Sequence, residues 1–174
     1  MYPEGFCTHV TESRLSDALC GRGRPGHFNG VTTIVTKLFN IIKPDRAYFG
    51  QKDYQQSAVI ERLVRDLNMD IDIQVCPTVR EEDGLALSSR NKRLNLEERQ
   101  NALSIYGSLL KARSMFASNI RDAKEIIEEM ASVIKKTNHT KIDYISIVNA
   151  RTLEDLSLIN EKALAAVAVW IGNT

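Results

Sequence analysis

The apolar residues between positions 31 and 75 follow helical and strand spacings in turn, and this alternation constrains the fold more than any other feature of the sequence. The first stripe recurs every three or four residues and predicts an amphipathic helix that ends before Pro44. A short strand at 46–49, a second helical stripe at 58–67 and an alternating strand at 71–75 follow. Helix, strand, helix and strand in succession are typical of a parallel sheet in an α/β fold.

The pattern changes after a loop that spans residues 77–94. Asn95 and Glu98 occupy the cap and third positions of a predicted helix whose apolar residues reach Phe116. A further helical stripe covers residues 126–134. We therefore expect a second domain to begin near residue 80.

Two apolar runs near the end of the chain, 142–148 and 163–171, predict strands. No helix-length segment lies between them, and residues 153–156 are expected to form a turn or a short helix. Strands joined in this way favour antiparallel pairing. The remaining stretch, residues 1–28, is rich in Gly, Ser, Thr and Arg and is predicted to be a surface loop with a short helix at 15–19.

Composition excludes several classes of function. Lys and Arg number 23 against 22 Asp and Glu, so the formal net charge of +1 provides no basic field for nucleic-acid binding. No apolar run reaches the roughly 20 residues that span a bilayer, and the first residues do not resemble a signal peptide, which favours a cytoplasmic protein without a membrane partner. Cys7, Cys20 and Cys76 are too scattered for a disulfide framework or a zinc site and are interpreted as buried or incidental thiols; no metal ligands are predicted.

Two polar segments are each expected where a strand gives way to a loop. The first runs from Phe49 through Gly50-Gln51-Lys52-Asp53 to Gln56 and leads into a helical pattern. Gly50 is expected to allow a tight turn, and the following helix would offer unpaired N–H groups to an anion. The second segment, Leu87-Ser88-Ser89-Arg90-Asn91, brings two hydroxyls and a permanently charged guanidinium. Together they predict two walls of an ATP site.

With their flanks, these segments resemble the pantoate–β-alanine ligase family of the nucleotidyltransferase superfamily, which also contains class I aminoacyl-tRNA synthetases. The resemblance covers nearly the whole chain, because the same order and spacing hold in several further motifs. These are Arg24-Pro25-Gly26-His27-Phe28 with Gly30-Val31, Lys43-Pro44-Asp45, Pro77-Thr78-Val79-Arg80 and Asp83-Gly84-Leu85-Ala86-Leu87. The fold it implies is α/β: the second half of a Rossmann-like nucleotidyltransferase domain of the HIGH superfamily at 1–79, followed by a small α+β domain with an antiparallel sheet at 80–174.

The resemblance also implies an activity. Members condense (R)-pantoate with β-alanine to form pantothenate, using ATP and Mg²⁺, through a pantoyl-adenylate that releases AMP and pyrophosphate. They form homodimers. The family's His-x-Gly-His signature is absent, since no two of His9, His27 and His139 have that spacing. We therefore expect this chain to correspond to the carboxyl-terminal part of the enzyme. An inactive fragment that retains part of the ATP site, or an adenylyl-transferring enzyme with another acid substrate, remains open.

Residue roles follow from the matched motifs. The resemblance implies that Lys52 and Arg90 contact the same ATP triphosphate and that Ser88 and Ser89 lie on a mobile phosphate-binding loop. It assigns ATP binding to Gly50, Gln51, Lys52, Asp53, Val79, Leu87, Ser88, Ser89 and Arg90, catalysis to Lys52, Ser88, Ser89 and Arg90, and pantoate binding to Gln56 and Arg24. At Gln51 the family commonly has glutamate.

Each assignment has a simpler structural alternative. Lys52 and Gln56 could be ordinary surface residues, and Asp53 could only cap a helix. Arg24 could lie in a flexible loop. For His27, the resemblance favours structural support, while its position before a helix also fits a cap.

Overall fold

Two parallel strands, β1 (Arg46–Gly50) and β2 (Asp72–Cys76), organise the first half of the computed structural model, which describes residues 1–174. The chain divides into the units Met1–Thr78 and Val79–Thr174. In the first unit the other regular elements are two 3₁₀ turns, Leu15–Asp17 and Gln51–Asp53, and the helices α1 (Cys20–Gly23), α2 (His27–Ile42) and α3 (Tyr54–Asp66). The predicted helix–strand–helix–strand order and the parallel pairing are confirmed.

Helices α2 and α3 pack against each other and bury most of the apolar stripes that the sequence predicted, although Ile42 and Leu67 at their ends are 63% and 48% exposed. Phe39 on α2 and Ile60 and Leu63 on α3 form the centre of this core. Ala47 and Phe49, which alternate along β1, pack against the same cluster, whereas Tyr48 between them is 66% exposed. The small sheet therefore has one face against the core and one open face.

The prediction that residues 1–28 form a surface loop is wrong for residues 15–21 and for Phe28, whereas residues 22–27 are exposed. Leu15, Leu19 and Phe28 are all nearly inaccessible to solvent. The buried side chain of Gln55 on α3 donates hydrogen bonds of 2.7 Å to the carbonyls of Leu15 and Ala18. These bonds satisfy backbone groups that burial would otherwise leave unpaired, so an irregular segment can enter the core.

The second unit pairs β3 (Thr140–Asn149) with β4 (Ala163–Ile171) in the predicted antiparallel arrangement. Helices α4 (Leu96–Ala117) and α5 (Ala123–Lys135) pack together, and α5 also packs against β3. Their core contains Met115, Met130 and Ile147, and residues 150–152 form the turn after β3. None of the helices combines the length and the apolar character needed to cross a membrane.

The predicted capping box at the start of α4 is confirmed. The Glu98 N–H donates to Asn95 Oδ1 and the Asn95 N–H donates to Glu98 Oε2, each at 2.9 Å. These bonds satisfy two backbone donors at this helix terminus.

Replacing Asn95 with alanine is expected to lower the free energy of unfolding by about 1 kcal/mol, because one capped N–H loses its acceptor. Urea denaturation of the two proteins would measure the difference. Glu98→Gln is the matched control, since glutamine can still accept from the Asn95 N–H. An equal loss in both variants would show that the Asn95 side chain does not contribute through this bond.

Candidate functional site

The carboxyl ends of the two parallel strands lie side by side, because Gly50 and Cys76 are register partners. Open α/β sheets bind ligands at this edge. The residues that leave β1 here, Gln51–Asp53, form one turn of 3₁₀ helix and are exposed, and α3 begins directly after them at Tyr54. Four of the predicted ATP-binding residues are therefore consecutive at the edge of the sheet where such sites are found.

Gly50 does not make the tight turn that the sequence suggested. Its φ and ψ are −81° and 130°, an extended conformation that any residue adopts, and the turn comes in the 3₁₀ helix that follows. A Cβ atom built on Gly50 would meet nothing within 4 Å. The missing side chain therefore leaves open space at the end of β1, where another molecule could approach the backbone.

Lys52 and Asp53 stay accessible beside this open space. The Lys52 amine lies 4.0 Å from the Asp53 carboxylate, and the two side chains are 37% and 67% exposed. Exposed pairs at such a distance contribute little free energy, so both charges can turn to a ligand. Asp53 occupies the cap position of α3, but its side chain accepts no hydrogen bond from the helix. The alternative that Asp53 serves as a helix cap is therefore wrong.

The two adjacent glutamines on the first turn of α3 differ in their surroundings. Gln55 is buried and also accepts a hydrogen bond from the Cys20 thiol at 3.1 Å, whereas Gln56 is half-exposed. The role of Gln55 could not be predicted from the sequence, because no local pattern indicates a partner 35 to 40 residues away. Gln56 remains the candidate for substrate contact.

Arg24 and His27 flank the start of α2. Arg24 is exposed just after α1, and its backbone carbonyl accepts the His27 N–H at 3.1 Å. Gly26, with φ of 77°, is the residue at the cap position, so His27 is not the cap. The His27 ring instead packs edge-on against Phe28 with 5.2 Å between ring centres.

In the second unit, residues 79–87 form a tight hairpin-like loop. Arg80 and Ala86 form an antiparallel bridge, and the Leu87 N–H donates to the Val79 carbonyl at 2.9 Å. Gly84 makes the turn with φ of 95°, and a Cβ there would lie 2.2 Å from the Tyr106 ring. The Val79 N–H and the Leu87 carbonyl take part in none of the backbone hydrogen bonds of this loop.

The Ser-Ser-Arg segment follows this loop as a short 3₁₀ helix, Ser89–Arg93. Ser88 Oγ accepts the Arg90 N–H at 3.2 Å, which leaves its own O–H available as a donor. Ser89 and Arg90 are exposed, and the Arg90 guanidinium has no ion-pair partner in the chain. Two hydroxyls and an unpaired cation are thus presented on a segment with a defined backbone.

Four polar side chains at the base of this segment form a network that the sequence analysis did not foresee. Arg99 on α4 contacts Glu81 Oε2 at 2.8 Å and Asp83 Oδ2 at 2.6 Å, and Asn91 donates to Glu81 Oε1 at 3.0 Å. The hydrogen bond from Asn91, and then that from Arg99, lowers the pKa of Glu81. The Leu85 N–H and Arg99 lower the pKa of Asp83. Both carboxylates are therefore held in the ionised, acceptor form.

No group of three or more His, Cys, Asp or Glu side chains is arranged to hold a metal ion. Cys7 and Cys76 are exposed and Cys20 is partly buried, so of the two expectations, buried or incidental thiols, burial is not observed. None of the three forms a disulfide. The candidate ATP-binding residues themselves offer cations, hydroxyls, the exposed Asp53 carboxylate and backbone groups.

Comparison with known proteins shows the family of this chain. The family model described as Pantoate-beta-alanine ligase matches residues 1–174. The pantothenate synthetase of Thermotoga petrophila is 57% identical over 173 residues, which are 99% of this chain and 62% of that protein. The corresponding protein of Moorella thermoacetica is 53% identical, over 100% of this chain and 62% of its own length. This chain therefore spans about three fifths of the length of the curated relatives that it matches.

Solved structures show the same likeness. A pantothenate synthetase crystal structure from Thermus thermophilus has a TM-score of 0.94 and 42% identity, covering 100% of this chain and 63% of that one. A pantoate-beta-alanine ligase from Francisella tularensis, complexed with beta-gamma ATP and beta-alanine, has a TM-score of 0.70 and 34% identity, covering 99% and 57%. The predicted fold class, a nucleotidyltransferase-type α/β unit with a small antiparallel sheet after it, is confirmed. The chain belongs to the pantoate–β-alanine ligase family.

Proposed function

We propose that this chain takes part in the ATP-dependent condensation of (R)-pantoate with β-alanine to pantothenate, through a pantoyl-adenylate and with release of AMP and pyrophosphate. The observation that carries the proposal is the Ser88-Ser89-Arg90 segment, in which an exposed guanidinium without an ion-pair partner stands beside two hydroxyls. Guanidinium and hydroxyl donors suit phosphate oxygens. The complex of the Francisella tularensis relative with beta-gamma ATP and beta-alanine supports the same ligands.

The reaction requires control of negative charge. The pantoate carboxylate attacks the α-phosphate of ATP, so an anionic nucleophile approaches a phosphorus that is already surrounded by anionic oxygens. The amine of β-alanine then displaces AMP from the activated acyl group. Donors and cations that are already in position stabilise such transition states, and loss of one donor typically costs about 3 kcal/mol of barrier.

The proposed roles divide between the two units. In the first unit, Lys52 contacts ATP phosphates, the Gly50 backbone borders the adenosine, and Gln56 and Arg24 contact pantoate. In the second, Arg90, Ser88 and Ser89 contact phosphates, and the Val79 N–H and Leu87 carbonyl contact the adenosine. Gln51 adjoins the nucleotide through its backbone.

Magnesium fits these residues as an ion bound mainly by the nucleotide. Mg²⁺ usually keeps several waters and uses one or two carboxylates together with substrate phosphates. Asp53, exposed and beside Lys52, is the carboxylate that would hold it, directly or through water. The ion would neutralise charge on the phosphate oxygens when bound.

The activity test compares this chain alone with the same chain joined to the unmatched amino-terminal part of the Thermotoga petrophila relative. We expect the joined protein to release AMP only when pantoate, β-alanine and ATP are all present. If the joined protein turned over other hydroxy acids more slowly than pantoate, a different acid substrate would be excluded. If only the joined protein shows turnover, the 174 residues alone correspond to the inactive fragment with part of the ATP site. A folded joined protein that forms no AMP would contradict the proposal.

The family resemblance also leads us to propose a cytoplasmic homodimer. Light scattering of the joined protein would measure its mass in solution, and a monomeric mass across micromolar concentrations would count against the dimer.

Gly50→Val is expected to weaken ATP binding at least about tenfold, or about 1.4 kcal/mol, because its side chain would occupy the open space at the end of β1. The free energy of unfolding should not fall, since the extended backbone accepts a β-branched residue. Titration with ATP and urea denaturation would measure the two quantities. Gly30→Val is the control, because a Cβ there also meets nothing within 4 Å but lies on α2. If Gly50→Val and Gly30→Val bound ATP with equal affinity, Gly50 would not border the ATP site.

A further inference from the structure

The Asn91 side chain connects the Ser-Ser-Arg segment to both arms of the 79–87 loop. Its Nδ2 group donates to Glu81 Oε1 at 3.0 Å and to the Ala86 carbonyl at 3.1 Å. Glu81 and Ala86 lie on opposite arms, since the bridge between Arg80 and Ala86 and the bond from the Glu81 N–H to the Leu85 carbonyl hold the arms together. Both amide hydrogens of Asn91 are therefore used to fasten the short helix to this loop.

Helix α4 fixes the acceptor that Asn91 uses. Arg99 donates to Glu81 Oε2 at 2.8 Å, so each carboxylate oxygen of Glu81 has its own partner. The same guanidinium nitrogen reaches Asp83 Oδ2 at 2.6 Å, and the Arg99 side chain is 22% exposed. Because the low pKa of Glu81 keeps it ionised, it accepts from both sides. A continuous path of hydrogen bonds thus runs from α4 through Glu81 to Asn91.

Arg90 itself lacks any comparable side-chain restraint. Its guanidinium is exposed without an ion-pair partner, and only its backbone N–H is bonded, to Ser88 Oγ. Asn91 is the next residue, and its own N–H donates to the Ser88 carbonyl at 3.1 Å. The direction in which Arg90 leaves the backbone is therefore set by the anchoring of its neighbours.

We propose that Asn91 is a positioning residue for Arg90, and that Arg99 supports it through Glu81. The effect on catalysis rests on the proposed function, which assigns Arg90 to the ATP phosphates. The restraint on the Ser-Ser-Arg segment is independent of that function. Cations stabilise a transition state only if they are in place before charge develops. A misplacement of about 1 Å can cost on the order of 100-fold in rate.

Hydrogen exchange tests the restraint directly in the 174-residue chain. Three amides report on the segment: Arg90, bonded to Ser88 Oγ, Asn91, bonded to the Ser88 carbonyl, and Leu94, bonded to the Asn91 carbonyl. Asn91→Ala is expected to speed exchange at these amides by at least about tenfold while amides in α5 keep their rates. Unchanged exchange at the three amides would overturn the proposal.

Turnover of the joined protein tests the link to Arg90. Asn91→Ala should lower kcat by about 10- to 100-fold with little change in the KM for pantoate. In the Arg90→Ala background, Asn91→Ala should cause no further loss, because the group it positions is gone. If Asn91→Ala caused a general structural defect, the double variant would be less active than Arg90→Ala alone. That result would overturn the positioning role of Asn91.

Two further variants serve as controls. Asn101→Ala also removes an asparagine amide bonded to a carbonyl, that of Asn138 at 2.9 Å, but at a different place on α4. It should leave the exchange of the segment and kcat unchanged. Glu81→Gln keeps an acceptor for Asn91 and should retain more activity than Glu81→Ala. Equal effects of Asn101→Ala and Asn91→Ala would contradict the proposal. If the wild-type joined protein shows no turnover, the proposed function is wrong. The hydrogen-exchange measurement would still show whether Asn91 restrains the Ser-Ser-Arg segment.

Discussion

Arg90→Ala is expected to lower the kcat for AMP release by about 100- to 1000-fold in the joined protein, the range found when one transition-state donor is removed. The guanidinium is exposed and has no ion-pair partner within the chain, so its loss removes no internal ion pair. The free energy of unfolding should therefore stay within about 0.5 kcal/mol of wild type. Steady-state kinetics and urea denaturation on the same preparations would separate the two effects.

The chain offers a matched control at the end of the same short helix. Arg93 is also exposed and lies in the last turn of Ser89–Arg93, so Arg93→Ala removes the same charge from the same element. It should retain most of the activity. Arg90→Lys should fall between the two, because lysine keeps the charge but loses the planar fork that matches phosphate oxygens. Loss of activity of equal size in Arg93→Ala would indicate a general effect of positive charge rather than a contact made by Arg90.

The helices and strands could be predicted because the spacing of apolar residues within each one indicates which face it buries. The stripe that includes Phe39 predicted α2, and the alternation of Ile71, Ile73 and Val75 predicted β2, although Val75 proves to be 37% exposed. The capping box of α4 is equally local, since Asn95 and Glu98 are three positions apart. Patterns of this length were sufficient to predict these helices and strands, because the spacing of the apolar residues is local.

One kind of error in the predictions concerns contacts between residues far apart in the chain. Burial of Leu15 depends on Gln55, which lies 40 positions away and satisfies its carbonyl. Position 50 illustrates a different error, because glycine has two uses and the sequence cannot separate them. The backbone of Gly50 is extended, so the residue leaves space instead of making a turn.

Part of the candidate site was predictable and part was not. Motif resemblance identified Lys52, Arg90 and their neighbours as candidates because those side chains would contact ligands directly. It did not identify Arg99 or Glu81 as supporting residues, since the bond between them spans 18 positions and connects a helix to a loop. The exposure of a side chain and its lack of strong partners can be determined only from the structure. These two properties distinguish the candidate ligand contacts Gln56 and Asp53 from a buried residue such as Gln55.

Lys52→Met is expected to lower the kcat of the joined protein by at least about 100-fold, because methionine keeps much of the side-chain length but removes the positive charge proposed to contact phosphate. Stability should change little. The only ion pair of Lys52 is a 4.0 Å contact with the largely exposed Asp53.

Lys124→Met provides the comparison, because Lys124 forms a similarly weak 3.9 Å pair with Glu128 and is 85% exposed. It should leave kcat unchanged. Lys52→Arg should recover part of the activity, since the charge returns with a different geometry. Raising salt should weaken any purely long-range effect of the lost charge, whereas a direct contact is screened much less. A Lys52→Met enzyme with wild-type kcat and an unchanged KM for ATP would show that the charge at the carboxyl end of β1 does not contact the nucleotide, and the ATP site would then have to lie elsewhere.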